Sequence, residues 1–171
     1  MKNINFKNKN ILITGADGFI GSHLVEKLSE YNCNITAIAM YNSFNTWGWL
    51  ENIDPYIKKN INIISGDIRD YKFVKNAIMK SDIVFHLASL IAIPYSYHSP
   101  NSYLQTNVQG TLNILEASLD SNIEKIIHTS TSEVYGDTKI IPISEETPII
   151  SKSPYSATKI AADQLAYSYY S

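Results

Sequence analysis

The sequence predicts an α/β fold in which a doubly wound parallel sheet is covered by helices on both faces. Short apolar runs alternate along the chain with amphipathic stretches of helical periodicity. The apolar runs are continuous, which is typical of parallel strands that are buried on both sides. Right-handed crossovers between such strands then generate the doubly wound, Rossmann-like arrangement.

Five apolar runs are predicted as the strands of this sheet. Asn10–Thr14 comes first and ends directly at Gly15. The runs are bounded by glycine, proline or polar residues, as strands in such folds are. The remaining four predicted strands are Asn34–Met40, Ile61–Ser65, Ile83–Leu87 and Lys125–Thr129.

Four helices are predicted between and after these strands. In Phe19–Tyr31, apolar side chains recur at helical spacing and predict a face packed on the first strand, formed by Ile20, Leu24, Val25 and Leu28. Tyr71–Lys80 is predicted as a short helix and Pro100–Asp120 as a long one. Pro154 opens the last helix as a first-turn residue, after a polar loop that contains Pro142 and Pro148.

The composition fits one globular domain over residues 1–171 and excludes several other classes. The chain is 44% hydrophobic and 18% charged, and its net charge of −2 gives no electrostatic footprint for nucleic acid. Its one cysteine, Cys33, permits neither an internal disulfide nor a cysteine-built zinc site, so no metal is expected. The longest apolar run is too short to span a bilayer. We therefore expect a cytoplasmic protein without membrane or nucleic-acid partners.

A glycine-rich loop joins the first strand to the first helix. Gly15 allows a tight turn, Gly18 lets backbone N–H groups approach a pyrophosphate, and Gly21 permits close packing of helix and strand. An anion at this place is favoured by the unpaired N–H groups and the dipole of the helix N-terminus. The loop therefore predicts dinucleotide binding.

The spacing of these glycines resembles the extended branch of the short-chain dehydrogenase/reductase superfamily, the NAD-dependent epimerases and dehydratases of sugar nucleotides. Three further segments are similar to that family: Gly66–Arg69, His86–Ser89 and Asn107–Thr111. The resemblance implies an adenine-side contact through Asp67. It implies cofactor contacts at Gly15, Asp17, Gly18, Phe19, Ile20, Gly21, Asp67, Ile68, Leu87, Ala88, Ser89 and Asn107.

The choice between NAD and NADP depends on the end of the second strand. An acidic residue there normally binds the ribose hydroxyl of NAD. In this sequence the place falls on Met40, Tyr41 and Asn42, which include no carboxylate, and Tyr41 is our candidate contact. No Lys or Arg for a 2′-phosphate lies between Lys27 and Lys58. We predict NAD, with NADP not excluded.

Tyr155 and Lys159 form the first part of the predicted catalytic group. Four residues apart on the last helix, their side chains share one helix face. A nearby ammonium favours the phenolate form of a tyrosine, which can then remove a proton from a sugar hydroxyl. The resemblance places both residues beside the cofactor as well as the substrate.

Thr131, Ser132 and Glu133 follow the fifth strand, at the edge where such sheets bind ligands. By resemblance, Thr131 hydrogen-bonds the oxidised hydroxyl, and Glu133 occupies the position of the base that removes the C5 proton in 4,6-dehydratases. Ser132 stands where the hexose dehydratases carry an aspartate general acid. The Ser-Glu pair also resembles UDP-glucuronate decarboxylases, so this motif leaves the reaction open.

Two aromatic segments, Tyr41–Glu51 and Ser89–Pro100, resemble the nucleotide-activated N-acetylglucosamine 4,6-dehydratases of legionaminic-acid-type sugar synthesis. The implied reaction on a UDP- or GDP-N-acetylhexosamine is C4 oxidation, loss of water across C5 and C6, and hydride return to C6. A 4-epimerase or a UDP-glucuronate decarboxylase of the same fold remains an alternative, as does a non-catalytic dinucleotide-binding protein.

Members of this branch are about twice as long as this chain, so we expect an N-terminal fragment that is inactive alone. The C-terminal substrate domain would be the missing part. In the family, the long helix and the Tyr-Lys helix form a homodimer interface. The helically spaced residues that could serve it, or instead face the sheet, are Leu104, Val108, Leu112 and Leu115.

Overall fold

The computed structural model describes residues 4–139 and 141–171 and confirms the predicted α/β class. Five parallel strands form one sheet: β1 Asn10–Thr14, β2 Asn34–Met40, β3 Asn62–Gly66, β4 Ile83–His86 and β5 Lys125–His128. Seven α-helices occur in these residues: α1 Phe19–Ser29, α2 Pro55–Asn60, α3 Tyr71–Ile78, α4 Ile93–His98, α5 Pro100–Tyr103, α6 Gly110–Leu119 and α7 Pro154–Tyr170.

The strand order is β3-β2-β1-β4-β5. The chain moves outward from β1 to β3 and then returns to β4 on the other side of β1, so the order reverses between β1 and β4. In open α/β sheets, ligands bind at the carboxyl edge beside such a reversal. The register pairs Thr14 at the end of β1 with Ile38 on one side and His86 on the other.

Two apolar cores cover the two faces of the sheet. Along β1, Ile11 and Ile13 point to one face, where α1 contributes Val25 and Leu28. Leu12 points to the opposite face, where the buried partners come from α3 and α6: Val74, Ile78, Ile114 and Ala117. Burial on both faces explains why the strands are continuous apolar runs rather than alternating ones.

The prediction that Ile20 packs on the sheet is wrong. Its side chain is 67% exposed, whereas Val25 and Leu28 further along α1 are buried. Ile20 instead lines an open cavity beside the glycine loop, at the carboxyl edge of the sheet. The helical period was read correctly, but the face begins one turn later.

The predicted long helix contains an irregular centre. α5 passes into a π-helical segment, Leu104–Gln109, which continues as α6. π-Helical turns are rare, and many occur at functional sites. Of the candidate interface residues, Leu115 is buried, Leu104 is 53% exposed, and Val108 and Leu112 are half-buried.

The predictions made from the three prolines agree with the structure. Pro154 is the first residue of α7, as expected, and Ser153 before it forms a capping box with Ser156. The loop around Pro142 and Pro148 lacks regular structure in the part that is described. Among the described residues, no helix combines the length and hydropathy that crossing a bilayer requires.

Candidate active site

A cavity of about 970 Å³ opens at the carboxyl edge of the sheet. The glycine loop and the first turn of α1 form its floor, the ends of β2 and β3 one wall, and the segments after β4 and β5 with α7 the other. Most of the predicted site residues line it: Gly15, Asp17, Gly18, Phe19, Ile20, Gly21, Asp67, Ile68, Leu87, Ala88, Ser89, Thr131, Glu133, Tyr155 and Lys159.

The glycine loop is shaped for close backbone approach. Gly15 has φ +67°, and a Cβ atom there would lie 2.7 Å from the backbone nitrogen of Ala88. A Cβ on Gly21 would lie 2.2 Å from the carbonyl oxygen of Gly15. The Gly18 N–H donates to that same oxygen at 3.2 Å, closing the turn at the start of α1. The loop therefore offers backbone rather than side chains to a bound anion.

Asp67 and Arg69 occupy the wall formed by β3. The Arg69 guanidinium and its backbone N–H both donate to the Asp67 carboxylate, with Nε 2.9 Å from Oδ2. Burial acts to raise the pKa of Asp67, but the hydrogen bonds and charge of Arg69 outweigh it and hold the pKa below its usual value. The carboxylate is thus ionised and fixed in orientation at neutral pH.

Tyr155 and Lys159 lie in the first two turns of α7, and both are buried. The Lys159 ammonium donates to the Thr129 carbonyl oxygen at 2.6 Å. Burial lowers the pKa of Lys159, and the Asp163 carboxylate one turn later acts in the opposite direction. Both side chains line the cavity on the same wall as Thr131.

Thr131 begins a short 3₁₀ segment, Ser132–Tyr135, and its hydroxyl accepts from the Glu133 N–H at 3.3 Å. Glu133 is exposed and lines the main cavity. Ser132 does not line that cavity but an adjoining depression on the outer side of the same segment. Neighbouring residues of a tight turn point in different directions, so the predicted Ser-Glu pair is split between two surfaces.

Two predicted cofactor residues lie outside the cavity lining. Tyr41 is 71% exposed and is not among the residues that line the cavity. Asn107 is buried in the π-helical segment. Its Oδ1 accepts from the Leu90 N–H and the Ser89 hydroxyl, and its Nδ2 donates to the Leu90 carbonyl and the Thr158 hydroxyl. The Thr158 hydroxyl in turn donates to the Tyr155 carbonyl oxygen at 2.7 Å. Asn107 therefore ties the loop after β4 to the helix that carries Tyr155.

Sequence reasoning missed Asp163, which connects α7 to the end of β5. Its carboxylate accepts from His128 Nε2 at 2.9 Å and from the Ser130 hydroxyl. These two residues flank Thr129, whose carbonyl accepts from Lys159. The spacing of four residues between Lys159 and Asp163 was the available signal, because it puts both on one helix face.

Comparison with known proteins identifies the family. The model of the GDP-mannose 4,6 dehydratase family matches residues 12–171. The chain belongs to this family. It is thus a member of the NAD-dependent epimerase and dehydratase group to which the glycine spacing pointed.

Curated relatives in this family match across most of the chain. The dTDP-glucose 4,6-dehydratase of Streptomyces antibioticus is 35% identical over 167 residues, which are 94% of this chain and 49% of the relative. The low-salt glycan biosynthesis protein Agl12 of Haloferax volcanii is 33% identical over 160 residues, 93% of this chain and 51% of the relative. The chain spans about half the length of the curated relatives it matches.

Solved structures share the fold over the same extent. The UDP-N-acetylglucosamine 4-epimerase of Methanobrevibacter ruminantium, in complex with UDP-N-acetylmuramic acid, superposes with a TM-score of 0.86 at 34% identity, over 96% of this chain and 51% of that one. DesIV, a dTDP-glucose 4,6-dehydratase of Streptomyces venezuelae with NAD and TYD bound, gives a TM-score of 0.84 at 28% identity. The match covers 94% of this chain and 51% of that one.

Proposed function

We propose that this chain is the cofactor-binding and catalytic part of an NAD-dependent sugar-nucleotide 4,6-dehydratase that acts on a UDP- or GDP-N-acetylhexosamine. The observation that carries the proposal is the convergence of Tyr155, Lys159, Thr131 and Glu133 on the cavity floored by the glycine loop. A tyrosine-lysine pair and a separate carboxylate are the groups that alcohol oxidation followed by elimination requires.

The residues of the cavity fit NAD. A Cβ on Gly15 or Gly21 would collide with backbone, so the loop leaves an open cradle of N–H groups at the start of α1. Solved structures of similar fold support this assignment, since DesIV has NAD bound. So does MoeE5, solved in complex with UDP-glucose and NAD, with a TM-score of 0.78 at 31% identity over 94% of this chain and 48% of that one. NAD supplies a reversible two-electron acceptor for the sugar carbon. The glycine loop, Asp67 and the segment Leu87–Ser89 would hold it.

The first proton transfer is assigned to Tyr155. Its phenol oxygen, on the same cavity as Lys159, acts as the general base that removes the proton of the C4 hydroxyl as that carbon is oxidised. The Thr131 hydroxyl hydrogen-bonds the same sugar oxygen and orients it. Lys159 is held by the Thr129 carbonyl, so its charge stays fixed while the proton moves.

The elimination is assigned to Glu133. A C4 ketone makes the adjacent C5 hydrogen acidic, and the exposed Glu133 carboxylate on the same cavity removes it as water leaves from C6. Ser132 stands where the hexose dehydratases carry an acid, and it faces the adjoining depression. The proton for the departing C6 hydroxyl is therefore assigned to Glu133 itself, which acquires one from C5.

A 4-epimerase is the second candidate. The position of Ser132 outside the main cavity favours it. Solved epimerases of similar fold also favour it, among them the UDP-glucose 4-epimerase of Thermotoga maritima. That structure has a TM-score of 0.83 at 30% identity over 94% of this chain and 50% of that one. Epimerisation needs the Tyr-Lys pair but no base for C5. Glu133 separates the two reactions.

The test uses the protein purified at the full length that its gene encodes. It is incubated with UDP- and GDP-N-acetylglucosamine, and the sugar products are read by nuclear magnetic resonance. We expect a 4-keto-6-deoxy sugar, and Glu133→Gln should reduce its formation by about 10²-fold or more. Glu145→Gln, a loop carboxylate in the outer depression, is the matched control and should retain activity. Undiminished turnover by Glu133→Gln to a C4 epimer would show an epimerase instead.

A further inference from the structure

Asp17, in the middle of the glycine loop, reaches across to the end of β2. Its Oδ2 accepts a hydrogen bond from the backbone N–H of Met40, the last residue of β2, at 3.0 Å. Its own carbonyl oxygen accepts from the Trp49 N–H at 2.9 Å. One carboxylate oxygen is therefore held against the last residue of β2, and the backbone of Asp17 is held separately by Trp49.

The approach of the Trp49 segment depends on glycine. Gly48 has φ +57°, and a Cβ atom there would lie 2.6 Å from the carbonyl oxygen of Asp17. The Trp49 ring also packs edge-on against Phe19, with centroids 5.3 Å apart. The segment Trp47–Trp49 thus packs against the glycine loop and holds the backbone of Asp17 in place.

One oxygen of Asp17 remains available to a ligand. Oδ2 is used by Met40, while Oδ1 has no hydrogen bond to any residue in the described ranges. Asp17 and Met40 both line the cavity, on the same side as Asp67. An ionised carboxylate with a free oxygen accepts hydrogen bonds from hydroxyls and repels other anions.

The residues at the end of β2 cannot take this role themselves. Tyr41 is exposed and outside the cavity. The Asn42 amide is committed to its own loop, where Oδ1 accepts from the Phe44 and Thr46 N–H groups and Nδ2 donates to Met40 and Thr46 carbonyls.

We propose that Asp17 determines cofactor selectivity: its carboxylate accepts from the adenosine ribose hydroxyl of NAD and excludes the 2′-phosphate of NADP. The proposal rests on the proposed NAD site and gives a specific hydrogen-bond partner and a selectivity role to a residue that the family resemblance marks only as a cofactor contact. Tyr155 and Lys159 lie on the wall beyond β4, so the adenosine half belongs on the wall of β2 and β3, beside Asp17.

Cations near this wall are already engaged. The Arg69 guanidinium is bonded to Asp67. The Lys58 ammonium lies over the Trp47 ring, 5.7 Å from its centroid. Neither is placed beside Asp17 to neutralise it, so a 2′-phosphate would meet an uncompensated negative charge.

The test measures the dissociation constants of NAD and NADP by calorimetry for the wild-type protein, Asp17→Asn and the matched control Glu30→Gln. Asparagine keeps an oxygen for the Met40 N–H, and circular dichroism establishes that each variant is folded. Glu30 is an exposed carboxylate at the end of α1, paired with Lys27, so its loss changes net charge equally.

We expect the wild type to bind NAD more tightly than NADP. In Asp17→Asn the ratio of the NADP to the NAD dissociation constant should fall roughly tenfold or more, because a negative charge within a few ångströms of the 2′-phosphate has been removed. The wild-type preference should also shrink as salt is raised, whereas the ratio in Glu30→Gln should equal that of the wild type. An unchanged ratio in Asp17→Asn overturns the assignment, even if both affinities fall. Absence of binding of either nucleotide to the wild type overturns the proposed NAD site, and this inference with it.

Discussion

His86 ends β4 with its imidazole enclosed between two threonine hydroxyls. Thr14 Oγ1 already accepts from the N–H groups of Leu87 and Ala88, so it donates its own proton to His86 Nδ1. Nε2 then carries the hydrogen and donates to Thr111 Oγ1 at 2.9 Å. The hydrogen bonds therefore favour one neutral tautomer and leave no place for a second ring proton.

This burial makes His86 a determinant of acid stability. Burial, followed by the charges of His128 and Lys159, lowers the pKa of His86 from 6.5 to about 3. The unfolded chain therefore binds a proton below pH 6.5 that the folded chain does not, so stability falls as the pH falls from 6.5 toward 3. Between pH 6.5 and 5 the slope should approach about 1.4 kcal/mol per pH unit.

Denaturant unfolding of the wild type and His86→Gln over this pH range measures the effect. The variant should be less stable at pH 7 but should show a flatter dependence on pH. His98→Gln, at the exposed end of α4, is the control and should retain the wild-type slope. An equal slope in His86→Gln would show that another group is responsible.

At the scale of elements, α7 is connected to the sheet through side chains rather than through apolar packing alone. Asp163 holds His128 and Ser130, and Lys159 holds the Thr129 carbonyl between them. On the other side, Thr158 bonds Asn107 in the π-helical segment. The helix that carries Tyr155 is thus fixed both to β5 and to the loop after β4.

Asp163→Asn should disturb this arrangement in a way that the pH profile detects. His128 and Ser130 bond two different oxygens of the carboxylate, and an amide replaces one of these acceptors with an NH₂ donor, so one of the two hydrogen bonds is lost in its present form. It also removes the charge that acts to raise the pKa of Lys159. We expect kcat to fall about tenfold or more with little change in KM, and the alkaline limb of the pH–rate profile to move to lower pH.

The control for this variant is Asp137→Asn, because Asp137 is an exposed carboxylate paired with Lys152. Asp137→Asn should leave kcat and the alkaline limb of the pH–rate profile near their wild-type values. If Asp163→Asn lowers the melting temperature but leaves the alkaline limb unmoved, Asp163 supports the fold only and has no effect on Lys159.

The elements that could be predicted from the sequence are those with a local signal. The strands were found within one residue because each is a continuous apolar run, and α7 because Pro154 marks its start. The π-helical segment had no such signal. The prediction for Ile20 was wrong because helical period alone does not distinguish a residue packed on the sheet from one that lines an open cavity. The link from Asp163 to His128 arises only when β5 and α7 meet in three dimensions.

At the scale of the whole molecule, the reversal of strand order between β1 and β4 explains why residues distant in sequence form one cavity. The glycine loop after β1, the segment after β4 and the Thr131–Glu133 turn after β5 all end at the same sheet edge. The sequence motifs identify these residues, and the parallel topology brings them together at one cavity. The proposed function rests on that convergence.

The measurement that tests this account most directly is the reaction of the full-length protein with the nucleotide-activated N-acetylglucosamine in D₂O, followed by nuclear magnetic resonance of the product. Removal of the C5 proton by Glu133 exposes C5 to solvent, so we predict a 4-keto-6-deoxy sugar with deuterium at C5 and the original C4 hydrogen at C6. An epimerised sugar that contains no solvent deuterium would contradict the dehydratase assignment.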